Sequence, residues 1–228
     1  NQKVMILSLD TSGPLFSIAV LSNNLIKQKS FEANKANSEK MIIEIHIFLK
    51  NLQLSLDDIN GIAFGAGPGS FSGVRVACGI AYGIAFAKKI PINGVNILKA
   101  LAALNPDRNT ISCIDARMNQ IYLGAFEFKD NKINSIDNEG VYDPDNLPIL
   151  HVKKPIIIGS GLKSFSNEMR VKYDYLAPTY DEKNYALAGE IAKLSQNDFK
   201  HEFDLSNAAP IYLRNKVANT IIERQKSK

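Results

Sequence analysis

Short apolar runs separated by polar turns open the chain. Val4 to Leu9 reads as a buried strand ending at Asp10-Thr-Ser-Gly13, Phe16 to Leu21 as a second strand with its turn at Asn23-Asn24, and Leu25 to Phe31 as a third. The apolar period then lengthens from two towards 3.6. Ser38 to Leu52 predicts a helix, with Asn37 or Ser38 placed to accept its first free backbone N–H groups. Ile59 to Phe64 predicts a strand, and a glycine-rich turn leads from it into a long helix that runs to Lys88-Lys89. Pro91 to Val95 is a short strand, Ile97 to Leu104 a helix, and Asn105-Pro106-Asp107 breaks the pattern.

Beyond that break the order partly repeats. Thr110 to Ile114 is a strand ending at Asp115-Ala-Arg117, Ile121 to Lys129 an alternating strand with its turn at Asp130-Asn131, and Ile133 to Val141 a third strand. A short helix near Pro144 to Leu150, a strand at Ile156 to Ile158 ending in Gly159-Ser-Gly161, and a helix at Ala186 to Leu194 complete the second half. Each half thus begins with a strand that ends in Asp, then a meander, then α/β units. The expectation is an α/β protein of two ribonuclease-H-like lobes, residues 1–105 and 106–228, with the last helix a candidate to pack back on the first lobe. Actin-like ATPases of the ASKHA superfamily share this layout and bind nucleotide between their lobes.

The helix faces raise the question of a partner. Met41, Ile42, Ile45, Phe48, Leu49 and Leu52 form one wide stripe, enough to cover a sheet. Ile43 and Ile47 point to the opposite side, one turn apart, flanked by Lys40 and Lys50. The next helix, from Val76 to Ala87, carries no charge, and its Gly79, Gly83 and Ala87 recur every four residues. A helix apolar all round must be covered all round, either within this chain or by another.

Ile62-Ala-Phe-Gly-Ala-Gly-Pro-Gly-Ser-Phe-Ser-Gly-Val-Arg75 runs from strand through glycines into a helix start, a shape that can cradle an anion. It lacks the Lys of a Walker loop, and Ser70 stands where a dinucleotide fingerprint has its third Gly. The residues favour a structural turn. Composition narrows the classes further. The chain has 228 residues, 45% hydrophobic, with a mild net charge of +4. Arg214, Lys216, Arg224, Lys226 and Lys228 crowd the end and read as a solvated tail. Cys78 and Cys113 lie in apolar runs without metal spacing and read as reduced thiols. No signal peptide or membrane span is recognisable, so a soluble cytoplasmic protein is expected. His46, His151 and His201 are scattered, and neither a His-Glu-x-x-His nor a Gly-x-Ser-x-Gly motif of a hydrolase is present.

Four segments carry a resemblance to a known family. They are Ile6-Leu-Ser-Leu-Asp-Thr-Ser12, Gly67-Pro-Gly-Ser-Phe-Ser-Gly-Val-Arg75, Ile114-Asp-Ala-Arg-Met118 and Pro210-Ile-Tyr-Leu-Arg-Asn-Lys-Val-Ala218. In this order they resemble the bacterial TsaB (YeaZ) family, paralogues of the TsaD carbamoyltransferases. The resemblance implies a part in making threonylcarbamoyladenosine next to the anticodon of tRNA. TsaD-type subunits perform the transfer, TsaB-type subunits bind and activate them, and a TsaE-type ATPase joins. It also implies pairing through the N-terminal helices, with a homodimer when the partner is absent and only indirect tRNA contact.

This copy looks like the helper. TsaD-type enzymes carry metal-binding histidines where this chain has Ile97-Leu-Lys-Ala-Leu101, and Ile and Leu offer no lone pair. No metal, cofactor or catalytic residue is therefore expected. The partner-binding candidates are Ile43, Ile47, Lys50, Gly69, Phe71, Arg75, Gly79 and Gly83. Vestigial nucleotide-binding candidates are Asp10, Thr11 and Ser12 in the first loop, Asp115 and Arg117 in the second, and Gly159 and Gly161. The rival reading is an ATP-binding small-molecule kinase or carbamoyltransferase that uses its own interlobe cleft.

Overall fold

A computed structural model of the chain describes residues 4–32, 38–130, 132–196, 199 and 203–214. Asn37, Asn131, His201 and the basic residues from Lys216 onward lie outside the described residues. The first sheet has the order β3-β2-β1-β4-β5, built from β1 (Met5–Asp10), β2 (Leu15–Ser22), β3 (Leu25–Glu32), β4 (Gly61–Gly67) and β5 (Ile92–Asn96). β1, β2 and β3 form an antiparallel meander, while β4 and β5 run parallel to β1. The second sheet repeats this plan with β6 (Thr110–Arg117), β7 (Gln120–Lys129), β8 (Lys132–Tyr142), β9 (Ile156–Ile158) and β10 (Thr179–Asp181), in the order β10-β9-β6-β7-β8. Again the first three strands are antiparallel, and the last two run parallel to the first. Two sheets of this order are the ribonuclease-H-like pair of an actin-like fold.

The period-two alternation of β1 decides what each face receives. Leu7 and Leu9 enter the core under α1 (Ser38–Asn51) and α2 (Phe71–Lys88), with Met41, Ile45, Phe48, Leu49, Ala77, Ile80 and Ala81. Ile6 belongs to a separate core on the opposite face, with Ile97, Leu101, Leu187 and Ile191. Those residues come from α3 (Ile97–Ala103) and from α5 (Ala188–Gln196) with its lead-in.

The two late helices are exchanged between the lobes. α3 follows β5 of the first sheet but packs on β6, β7 and β8 of the second, as well as on β4 and β5. α5 follows β10 but packs on all five strands of the first sheet. Buried polar groups fix both. Ser8 Oγ donates to the Ala188 carbonyl at 2.6 Å, Ser17 Oγ accepts from the Ala188 N–H at 3.1 Å, and Gln28 Oε1 accepts from the Gly189 N–H at 2.6 Å. In the second sheet Ser112 Oγ donates to the Leu98 carbonyl at 2.7 Å. The bonds to the Ala188 and Gly189 N–H groups supply partners to donors at the start of α5 that would otherwise be buried unpaired, and the hydroxyls of Ser8 and Ser112, themselves buried, are satisfied by helix carbonyls.

Several expectations change. Ile42 does not join the buried stripe of α1 and is 57% exposed. At 100° per residue it sits at the rim of the stripe, beyond Leu49, where the sheet does not reach. The segment from Pro144 to Leu150 is a single 3-10 turn, Pro144–Asn146, followed by extended chain. α4 (Gly161–Tyr173) and β10 were not read from the sequence. α4 buries only Gly161, Leu162, Phe165, Met169 and Tyr173, so its apolar stripe is in helical phase but narrow, one residue per turn, and it kinks at Phe165 (φ −135°, ψ 35°). Arg214 is not part of a solvated tail. The segment 203–214 runs back over the first lobe, where Leu205, Ala208 and Ile211 pack on its core and the Ile211 N–H donates to the Ala66 carbonyl at 2.7 Å.

Candidate functional site

The glycine-rich turn is shaped by the first strand's Asp-Thr-Ser turn. The Ser70 N–H donates to the Ser12 carbonyl at 2.7 Å, and Thr11 Oγ1 donates to the Gly73 carbonyl at 2.5 Å. A β-carbon at Gly73 would lie 1.9 Å from the Thr11 carbonyl oxygen, and one at Gly69 would lie 2.6 Å from that of Ser12. Only glycine permits this approach. Ser70 caps α2 with its own side chain, accepting from the Gly73 N–H. Two of the N–H groups that a phosphate would seek, those of Ser70 and Gly73, are thus taken from within the chain.

An interlobe cleft of about 730 Å³ lies beyond this turn, lined by Ser12, Ser70, Asp115, Arg117, Ser160, Lys163, Ser164, Tyr212 and Arg214 among others. Of the nucleotide candidates, Ser12, Asp115 and Arg117 line it. Asp10 and Thr11 are buried behind the wall. Asp10 Oδ1 accepts from the Ser12 N–H at 2.9 Å, and burial raises its carboxyl pKa above 3.8 although bonds from Ser12 and Thr11 oppose this. Asp115 is engaged by its own loop. Its carboxylate accepts from the Arg117 N–H at 2.7 Å and from Ser164 Oγ at 2.9 Å, and the exposed Arg117 guanidinium stands 3.8 Å away. Gly159 (φ +121°) and Gly161 press against Cys113, where a β-carbon at Gly159 would lie 2.1 Å from the Cys113 carbonyl oxygen. They serve packing of β9 and α4 on β6. Burial pushes the Cys113 thiol up to about 12, so it is no nucleophile at neutral pH. Among the described residues no group of three or more His, Cys, Asp or Glu side chains could hold a metal ion.

Sequence reading passed over Lys163, Ser160 and Ser164 because α4 itself was not read. Arg214 was read as part of a basic tail and within a motif, not as a site residue. It donates to Gln120 Oε1 at 2.6 Å, to the Ala116 carbonyl at 3.1 Å and to the Arg117 carbonyl at 3.4 Å. It thereby holds the β6–β7 hairpin, in which Arg117, Met118 and Asn119 all have positive φ.

The outer face of the first lobe is different in character. α1 and α2 cover the same side of the sheet and touch each other. Ile42 and Ile43 on α1 are 57% exposed and Ile47 is 39% exposed. On α2 the exposed side is Phe71, Arg75, Gly79, Tyr82, Gly83 and Phe86, so this helix is not covered all round by its own chain. A β-carbon at Gly79 or Gly83 would meet no atom within 4 Å. The rings stand in order: Tyr82 stacks on Phe86 at 6.3 Å, the Arg75 guanidinium lies 3.3 Å from the centre of Phe71 and 5.2 Å from that of Tyr212, and Lys89 is 4.1 Å over Phe86. Of the partner-binding candidates, Ile43, Ile47, Lys50, Phe71, Arg75, Gly79 and Gly83 are exposed on these two helices, while Gly69 is half-buried in the turn. Ile42, Tyr82 and Phe86 were missed as members of this face, although the uncharged run of α2 pointed to it.

Comparison with known proteins gives consistent relatives. Residues 19–220 match the family model described as "TsaD: tRNA N6-adenosine threonylcarbamoyltransferase". The chain is 30% identical to the tRNA threonylcarbamoyladenosine biosynthesis protein TsaB of Haemophilus influenzae, over 95% of this chain and 96% of that protein. It is 27% identical to the protein of the same name from Escherichia coli, over 93% of this chain and 96% of that one. Among solved structures it resembles YeaZ from Pseudomonas aeruginosa, with a TM-score of 0.78, 24% identity, 92% of this chain and all of the other covered. A second Pseudomonas aeruginosa structure, described as similar to peptidase YEAZ, has a TM-score of 0.79 at 24% identity, again covering 92% of this chain and all of the other. At that identity these two likenesses speak for the fold.

Proposed function

We propose, for a chain that belongs to the TsaB family and takes part in tRNA threonylcarbamoyladenosine biosynthesis, a non-catalytic role: it binds a TsaD-type carbamoyltransferase through the α1–α2 face and holds it in a competent form. The observation that carries this reading is the exposed apolar surface made by Ile43, Ile47, Phe71, Tyr82 and Phe86 around two uncovered glycines. Gly79 and Gly83 let a second helix approach closely, and Arg75 and Lys50 supply a charged rim. The same face serves a homodimer when the partner is absent, because a patch of two helices readily pairs with itself about a two-fold axis. In this reading the complex is cytoplasmic and a TsaE-type ATPase joins it.

Against a catalytic role of its own, Ile97 and Leu101 stand where the paralogues bind metal, and both are packed in the core between the sheets. Asp10, Thr11, Gly159 and Gly161 are engaged in the protein's own packing, which weighs against an ATP-dependent kinase or transferase in the cleft. Reconstitution tests the proposal. The TsaD-type subunit, threonylcarbamoyl-adenylate and unmodified tRNA should give little product alone and full modification when this chain is added, while this chain without the TsaD-type subunit gives none. Product from the rigorously purified chain alone, or no stimulation on its addition, would refute it.

A further inference from the structure

The end of the second lobe opposite the cleft is rich in exposed cations. Four loops meet there: those entering β6, β9 and β10, and the β7–β8 turn. Their described residues expose Arg108, Lys129, Lys132, Lys153 and Lys154 against three carboxylates, Asp107, Asp130 and Asp174. None of the five cations is in an ion pair among the described residues.

One side chain gathers them. Asn109 Nδ2 donates to the Lys153 carbonyl at 3.0 Å, and Asn109 Oδ1 accepts from the Phe128 N–H at 3.4 Å. Arg108 is held beside it by a 2.9 Å bond to Thr179 Oγ1. Arg108, Lys129 and Lys153 are therefore set on neighbouring backbone around a single node. Nearby, the Tyr175 ring is 60% exposed while its hydroxyl binds the backbone of Leu150 at 2.7 Å.

From this arrangement we propose that the basic end of the second lobe binds the phosphate backbone of tRNA. It rests on the functional reading above and adds to it a direct nucleic-acid contact, on elements separate from α1 and α2. The character of the patch selects the partner. These loops expose one large aliphatic side chain, Ile149 at 67%, against five exposed cations, so charge and not an apolar centre dominates this end. Exposed cations grouped on neighbouring backbone, with an exposed aromatic ring nearby, fit an RNA backbone and its bases.

The test uses fluorescence anisotropy with an unmodified tRNA transcript, titrated with the chain and with its complex with the TsaD-type subunit over a series of salt concentrations. The variant is Lys129→Glu/Lys132→Glu/Lys153→Glu. It should weaken binding at least ~10-fold at about 0.1 M salt and flatten the slope of log affinity against log salt by about 2–3. The triple Lys→Arg variant should keep both. Binding to the TsaD-type subunit and the cooperative melt should not change, while the tRNA concentration needed for half-maximal modification rises. Equal tRNA affinity and slope in the Glu variant, or no tRNA binding by the wild-type complex, would overturn the proposal and leave the α1–α2 reading standing. Binding to phosphatidylglycerol vesicles with none to tRNA would also overturn it. If instead the wild-type chain does not bind the TsaD-type subunit, the functional reading falls, and anisotropy with the isolated chain still decides the tRNA contact.

Discussion

Replacing Ile43 and Ile47 together by glutamate separates a partner face from a covered core. In the free chain Ile43 is 57% and Ile47 39% exposed, so the pair shows water about one whole isoleucine's surface. Burying that surface against a partner is worth about 2–3 kcal/mol. The double variant loses this and brings two carboxylates into the contact, where an unpaired one costs more than about 2 kcal/mol. The sum exceeds roughly 4 kcal/mol, or about 1,000-fold in affinity. The cost within the free chain should stay below about 1 kcal/mol, because both new charges reach water and Ile47 alone gives up appreciable packing. Isothermal titration against the TsaD-type subunit reads the first quantity and a circular dichroism melt the second. Light scattering should show any homodimer weakening in parallel, and Lys50→Glu at the edge should have a smaller effect. A variant that melts cooperatively and still binds within about 5-fold of wild type would refute the reasoning. Loss of folding would mean that the two side chains are core.

Three further outcomes follow from other parts of the fold. Gly79→Ala with Gly83→Ala should raise the melting temperature, by about 1 kcal/mol of stability per site, since a β-carbon there meets nothing within 4 Å, and yet weaken partner binding if a second helix approaches closely. Stronger or equal binding in titration would refute the close approach. Gly73→Ala should cost more than about 3 kcal/mol, because its β-carbon would lie 1.9 Å from the Thr11 carbonyl oxygen, and an unchanged melt would show that the turn relaxes freely. Asp10→Asn concerns pH. Burial raises the folded pKa of Asp10 above 3.8, so the folded state binds its proton more tightly than the unfolded state. This group's contribution is most favourable below 3.8 and is lost as pH rises through the folded value. The Asn variant, which keeps an oxygen for the Ser12 N–H, should match wild type in acid and gain on it towards neutral pH. Parallel melting curves across that range would contradict the assignment.

Local rules made most of this molecule legible. Strands with period-two or continuous apolar runs, such as Met5–Asp10 and Ile156–Ile158, were visible because each must bury a face regardless of what covers it. Asn23 and Asn24 were readable as a turn because both adopt positive φ, which their short polar side chains tolerate. Ile43 and Ile47 were separable from the buried stripe by helical geometry alone. The lack of ligand atoms at Ile97 and Leu101 was visible in residue identity.

Tertiary structure decided the rest, because burial belongs to a pair of surfaces and not to a segment. An uncharged run such as Val76 to Ala87 within α2 is compatible with a fully enclosed site or an open one, and only the helix's place at the outer face leaves Phe71, Tyr82 and Phe86 exposed. The exchange of α3 and α5 between the sheets depends on contacts such as Ser8 with Ala188, which are 180 residues apart and leave no local trace. α4 went unread because its apolar stripe is one residue wide among polar neighbours, a weak signal on its own, and the second sheet is what covers it. Asp10, Thr11, Gly159 and Gly161 read as vestigial nucleotide-binding candidates in sequence. The fold engages Asp10 and Thr11 in hydrogen bonds of the turn and uses Gly159 and Gly161 to bring backbones together, because glycines that permit close approach to a ligand permit the same approach to the chain itself.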